Sequence, residues 1–206
     1  MAETGPEPFH VALGSLRDRL RDGAYRPGAR IAATDLADEL RLSTTPVREA
    51  LSRLAGEGLL EDRRGQGYFV RLPNALDIAD LYRISLAHLL IAQEPHRPLR
   101  RPVGAPIEPA TPEGAVRRID RLLVEWVAES GSRALLSAFR LNQVQLGVVR
   151  QHEGEVIPDL DDEAQRLVIL ESADRATRLV NLRQFHGRRI RLAEALGALL
   201  ARTGDA

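Results

Sequence analysis

Residues 43–60 read S-T-T-P-V-R-E-A-L-S-R-L-A-G-E-G-L-L and hold the densest set of groups suited to contacting a polar surface. Val47, Ala50, Leu51 and Leu54 recur at the helical period, which predicts a helix with one buried side. At about 100° per residue, Thr44, Thr45, Arg48 and Ser52 gather on a neighbouring sector of hydroxyls and one guanidinium. Ser43 is placed to serve as the N-cap, and Pro46 falls in the first turn, where a missing N–H leaves no intrahelical bond unmade. The chemistry on offer is hydrogen bonding and charge pairing at the positive end of a helix. A short second helix offers the same to the phosphates and base edges of a DNA major groove.

The flanking residues supply what such a helix needs to be held in place. Leu36, Ala37 and Leu40 predict a preceding helix with a small apolar face, and Arg41-Leu42 a turn. After the helix, residues 58–61 read as a strand, R-R-G-Q-G (63–67) as a tight turn and residues 68–71 as the return strand. Arg64, Gly65, Gln66 and Gly67 then form the tip of a wing. Upstream, residues 9–21 predict a helix with Leu13, Leu16 and Leu20 on one face, and Asp22-Gly23 an αL-type stop. Residues 25–31 read as a loop, and residues 1–8, polar and proline-containing, as a loose arm. Residues 9–73 therefore read as a winged helix-turn-helix domain.

Composition bounds the rest. The chain has 206 residues, 44% of them hydrophobic, enough for two small cored domains. Cysteine is absent, which excludes disulfides, thiolate catalysis and cysteine zinc sites. No apolar run is long enough to span a bilayer and the first residues lack signal-peptide character, so a cytoplasmic protein without membrane contact is expected. The formal net charge is zero and every basic residue is arginine, so any nucleic-acid surface must be a local patch. Neither a nucleophile elbow, a P-loop, a dinucleotide glycine fingerprint nor a helix-borne carboxylate-histidine motif occurs, and no catalytic residue is expected.

From residue 74 the pattern is helical throughout, predicting a mainly α protein whose second domain, 74–206, is an all-helical bundle. Residues 77–93 repeat Ile78, Leu81, Leu86, Leu89 and Leu90 at helical spacing. Residues 94–112 are rich in proline and read as a stiff loop rather than a polyproline ligand. Thr111 and Pro112 predict the start of a helix whose stripe is Val116, Ile119, Leu122, Leu123, Trp126 and Val127. Residues 132–151 follow with Leu135, Leu136, Phe139, Val144, Leu146 and Val149 turned inward. The acidic run 159–163 predicts decoration of a helix N-terminus rather than a metal site, and residues 174–202 one or two further helices.

Five blocks in order, L-R-D-G-A-Y-R-P-G-A-R-I, D-L-A-D-E-L, S-T-T-P-V-R-E-A-L-S-R-L, E-G-L-L and R-G-Q-G-Y-F-V, resemble the N-terminal domain of GntR-family transcriptional regulators. The resemblance implies double-stranded DNA as partner, a homodimer on a pseudo-palindromic operator, and contacts from Thr34, Ser43, Thr44, Thr45, Arg48, Ser52, Arg64, Gly65, Gln66 and Gly67. Where the family usually places arginine, this chain has Thr34 and Thr44, and Arg41 stands where glycine is usual. The bundle is similar, less closely, to the effector domain of the FadR-like branch, called FCD, through L-Y-R-I-S-L (81–86) and F-R-L-N-Q-V-Q-L-G-V-V (139–149). Many members of that branch hold a metal on one aspartate and three histidines. Here those positions fall at Leu141, Gln145 and Ala164 or Gln165, and only His186 matches, so no metal and no cofactor are expected. The resemblance implies instead a small-molecule effector contacted by Asn142, Gln145 and His186. The rival reading is a winged-helix module that contacts protein rather than specific DNA.

Overall fold

The computed structural model describes residues 7–94, 114–170 and 173–204. The Thr111 and Pro112 helix start and nearly all of the proline-rich stretch lie outside them, as do residues 1–6 of the arm. The described chain is mainly helical, a winged head followed by a helical domain.

The head opens with α1 (Pro8–Arg21), which buries Leu13, Leu16 and Leu20 and stops at Asp22, with Gly23 left-handed at φ +69° as its sequence requires. A two-residue strand, β1 (Arg30–Ile31), follows where a loop was expected. The single alternation of exposed Arg30 and buried Ile31 is too short to carry a period-2 signal. Then come α2 (Ala33–Leu40), α3 (Thr44–Gly56), β2 (Leu60–Arg63) and β3 (Gly67–Val70). The sheet order is β1-β3-β2, both pairs antiparallel, with Ile31 opposite Tyr68 and Leu60 opposite Val70.

The first wing strand starts two residues later than expected. Gly58, at φ +71°, ends α3 rather than opening β2, with the Leu59 N–H donating to the Leu54 carbonyl at 3.0 Å. The turn 64–66 then carries Gly65, and β3 begins at Gly67. Arg41 sits at φ 55° as the C-cap of α2, the one left-handed non-glycine residue among those described. A Cβ there costs about 1–2 kcal/mol.

The helical domain begins with α4 (Ala75–Ala92), whose start is fixed by a reciprocal capping box between Asn74 and Asp77. After it come α5 (Ala115–Ala128), α6 (Arg133–Arg150), a short α7 (Glu153–Val156), α8 (Leu160–Ile169), α9 (Arg175–Arg191) and α10 (Ala193–Gly204). Ile119, Leu122, Leu123, Trp126 and Val127 of the α5 stripe are buried against Leu136 and Phe139 of α6 and Leu182 and Phe185 of α9. The expected α4 stripe is only partly inward. Ile78 and Leu89 are buried, yet Tyr82 and Ser85 take the central places and Leu81, Leu86 and Leu90 lie at the margin. Periodicity counted the aliphatic side chains and missed the polar ones that the interior can satisfy.

Helix α6 belongs to both halves. Leu146 and Val149 face the bundle, whereas Leu141 and Val144 pack against the core of the head. The two backbones approach at Gly147, where a Cβ would stand 2.7 Å from Arg21 Cα and 2.8 Å from the Leu20 carbonyl oxygen. Only a residue without a side chain fits there. Gly147→Ala is therefore expected to lower unfolding stability by about 1–3 kcal/mol, read as the urea midpoint at unchanged m. An unchanged midpoint would show that the two halves are not held at this contact.

Candidate nucleic-acid interface

The reading head is built on α3. Val47, Ala50, Leu51 and Leu54 are buried, and Ser43, Thr44, Thr45, Arg48 and Ser52 are all exposed on the opposite side. Ser43 holds the extended N-cap backbone, φ −73° and ψ 160°, but its hydroxyl closes no bond to the helix. The cause lies three residues on, because Pro46 occupies the N3 position and lacks the N–H that a serine cap would bond. The Ser43 hydroxyl is thereby left to solvent, on the same helix end as Thr44 and Thr45.

Among the described residues the Arg48 guanidinium makes no hydrogen bond and no ion pair within the chain, and neither does that of Arg64 at the wing tip. Several other head arginines are spent on carboxylates. Arg17 grips Glu57 with two bonds of 2.7 Å, Arg53 joins it at 2.8 Å, and Arg63 pairs with Glu61 at 2.9 Å while lying 4.2 Å above the Phe69 ring. Exposed Thr34, on α2, turns its hydroxyl to Asp35 at 3.0 Å. Gly65 (φ +75°) and Gly67 (φ +100°) give the wing tip its tight reversal, with exposed Arg64 and Gln66 projecting from it.

Two neighbours escaped the sequence reading. Glu49 is exposed on the same sector as Thr45 and Ser52, and a carboxylate there accepts from a cytosine amino group. Arg30 is exposed on β1 with its guanidinium 3.4 Å from where a Gly67 Cβ would stand, adding an unpaired cation to the wing. Glu49 could have been found from the helical wheel. Arg30 could not, since nothing in the sequence marked β1.

The three residues expected to share an effector site are not brought together. Gln145 points out of the bundle and donates from Nε2 to the Glu57 carbonyl of the head at 3.2 Å. Asn142 is buried, donating to the Leu81 carbonyl at 3.2 Å. His186 is buried in the bundle, where its Nδ1 meets the Leu182 carbonyl at 2.8 Å and its Nε2 the Ser85 hydroxyl at 3.0 Å. A carbonyl can only accept, so Nδ1 carries the proton and Nε2 accepts from Ser85.

Around His186 lies a cluster of buried charge. Arg189 donates to both oxygens of Glu153, at 2.9 and 2.7 Å, and to Glu163 at 2.8 Å, while its guanidinium stacks 3.4 Å from the Phe185 ring centroid. Arg150 pairs with Asp120 and donates to Gln143 Oε1 at 2.6 Å, and the Tyr82 hydroxyl donates to Glu153. Burial alone would push the Glu153 carboxyl up, yet the Arg189 and Arg150 guanidiniums outweigh it and hold it below its ordinary value. Burial and the Glu153 charge raise the Tyr82 phenol, so it stays a donor. The acidic run is thus partly structural, since Glu163 serves Arg189, and Asp159 pairs with Arg188 and Arg166.

These residues do not fit a metal ion of the kind the FCD resemblance brings to mind. Leu141 lies against the head, Gln145 is engaged with Glu57, Ala164 is a core methyl and Gln165 is exposed. No group of three or more potential ligands lies together among the described residues. The buried carboxylates Glu153 and Glu163 are moreover already spent on Arg189.

Residues 11–70 match the model of the bacterial regulatory proteins, gntR family. The Nta operon transcriptional regulator of Aminobacter aminovorans is 45% identical over 60 residues, 29% of this chain and 29% of that protein. The chain spans less than half the length of the curated relatives it matches first. Across the whole fold, Escherichia coli McbR/YncC superposes with a TM-score of 0.64 at 20% identity, over 92% of this chain and 98% of that one. A GntR-type protein from Rhodococcus sp. RHA1 gives 0.63 at 21% identity, over 92% and 97%. At these identities the two structures establish the fold alone. No described helix is long and apolar enough to cross a membrane.

Burial lowers the His186 imidazole from 6.5 to about 3, assisted by the positive charge of Arg150 and Arg189. Folding keeps it neutral, so the stability it contributes is full above the unfolded value and is lost as pH falls through 6.5 toward about 3. Wild-type unfolding free energy should therefore decline between pH 6.5 and about 5, before ordinary carboxylates titrate, and His186→Gln should decline less. Parallel pH profiles for the two proteins would show that His186 is protonated in the folded chain.

Proposed function

Starting from an N-terminal domain that belongs to the gntR family of bacterial regulatory proteins, we propose that this chain is a sequence-specific, double-stranded-DNA-binding transcription regulator of the FadR-like branch. It acts as a homodimer on a pseudo-palindromic operator and is tuned by a small molecule. The observation that carries the reading is the exposed, unpaired Arg48 in the middle of a hydroxyl-rich helix face, beside a wing whose Arg64 is also unpaired. Arg48 is placed for a base edge or phosphate, Ser43, Thr44, Thr45 and Ser52 for phosphates and bases, and residues 64–67 for the backbone or minor groove. Thr34 stands close to its own Asp35 and contributes the weakest contact of the set.

Zero net charge fits a local patch of this kind, because Arg17, Arg53 and Arg63 of the head are neutralised by Glu57 and Glu61. Two-fold pairing is supported by exposed aliphatic side chains on the helical domain, with Ile91 of α4 49% and Val180 of α9 51% accessible. The chemistry is binding; the Ser85 hydroxyl does donate to His186 Nε2, but both side chains are buried in the bundle, out of reach of a substrate.

Arg48→Ala should fold with unchanged stability and lose about 1–3 kcal/mol of operator affinity, measured by titrating duplex DNA at two salt concentrations. A folded Arg48→Ala protein that binds the selected operator as tightly as wild type would refute the assignment of α3. Binding of both proteins without any salt slope would favour a protein-contacting role for the wing instead.

A further inference from the structure

The helical domain has little room of its own at its centre. Tyr82, Trp126, Phe139, Arg150 and Arg189 are fully buried there, and the two guanidiniums are held by Glu153, Glu163 and Asp120. An open cavity of about 260 Å³ lies instead in the seam between the head and the helical domain. Its apolar wall combines Leu59 and Val70, at the base of the wing, with Leu81 and Val148 of α4 and α6.

The polar atoms at the seam are uneven in kind. Arg71 and Asp77 also line it; one Arg71 N–H bonds Asp77 at 3.0 Å, and the second Asp77 oxygen accepts from the Asn74 N–H. Gln145 spends Nε2 on the Glu57 carbonyl and leaves Oε1 without a donor among the described residues. Asp80 accepts from Arg83 at Oδ1 only, leaving Oδ2 open. The open side-chain acceptors are therefore an amide oxygen and a carboxylate oxygen, and because the lining sets Arg71 against both Asp77 and Asp80, the donor that suits them is a positively charged one.

We propose that this seam cavity is the effector site and that its ligand is a small amphipathic amine. The ammonium would bond Asp80 Oδ2 and Gln145 Oε1, and the apolar body would rest against Leu59, Val70, Leu81 and Val148. The volume lies just below the usual range of about 300–1,000 Å³ for ligand pockets, which suits one ring or a short chain. Because Leu59 adjoins β2 and Val70 ends β3, a ligand here bears on the base of the wing. It shifts operator affinity to the extent that it prefers one seating of the head over another. The assignment rests on the regulator reading above.

The test uses 2-phenylethylamine as probe, with 2-phenylethanol and 3-phenylpropanoate as controls, on the full chain and an operator obtained by selection. The amine alone should raise the thermal midpoint and change operator affinity about fivefold or more, and both responses should vanish in Asp80→Asn and in the cavity-filling Val148→Phe. Asp80 is an exposed side chain, so its variant remains informative should Val148→Phe fail to fold. A missing response to the amine in wild type, an equal response to the alcohol or carboxylate, or an undiminished response in folded Asp80→Asn would each overturn the proposal. Operator affinity without any probe is read in the same titrations, so loss of the seam site and failure of the DNA-binding reading give different results.

Discussion

The structure depends on one close approach, that of α6 to the end of α1 at Gly147. With no side chain at that position the Arg21 and Leu20 backbone can lie against the helix, and Leu141 and Val144 on either side enter the core of the head. The helix is thereby shared. Phe139 and Leu146 serve the bundle, Leu141 and Val144 the head, and Gln145 bonds the Glu57 carbonyl at the C-cap of α3. Glu57 is in turn fastened by Arg17 and Arg53, so the helix that presents Arg48 is tied at its far end to both α1 and α6. A change in how α6 is seated has a direct packed and hydrogen-bonded path to the reading helix, without any long relay.

The second constraint is electrostatic. A bundle of this size buries two arginines, two glutamates and a histidine at its centre, and this arrangement persists because each charged group has an opposite charge beside it and at least one hydrogen bond, although Arg150 Nε has none. Removing one partner of such a buried pair typically costs about 3–5 kcal/mol. Neutral His186 completes the set by accepting from Ser85, which also receives Gln143. Burial keeps His186 unprotonated, and the carboxylates around it are already taken up by Arg150 and Arg189 rather than free to ligate a metal cation. The residues that stand in place of carboxylate and imidazole ligands, Leu141 and Gln145, have been turned to face the head instead.

Much of this was legible in the chain itself. The helix-turn-helix, the wing and the αL stop at Gly23 follow from local patterns, because the turn glycines, the capping positions and the 3.6-residue period are encoded within a few residues of where they act, whereas the left-handed Arg41 was signalled only by the resemblance that puts glycine there. The interior of the helical domain was not legible. Nothing local in the sequence marks Arg150, Glu153 and Arg189 as buried, since their burial depends on partners tens of residues away, such as Glu153 for Arg189. Gln145 was expected to share a site with Asn142 and His186 and instead lines the seam with the head, because its direction is set by which side of α6 the head occupies, and the period of the helix itself does not say. The two-residue β1 and the late start of β2 were missed for a simpler reason: strands so short carry no alternation to detect.

The central claim is that α3 reads base edges from two copies of the chain at once. Selection of bound duplexes from a random pool by the full-length protein, followed by affinity measurements on the enriched sequence across a salt series, tests it most directly. The account predicts an inverted repeat whose half-site centres are separated by about one helical turn of 10–10.5 base pairs or a multiple of it, bound with an affinity that falls steeply as salt rises. Enrichment of no motif, or of a single unrepeated half-site bound by a monomer, would contradict it.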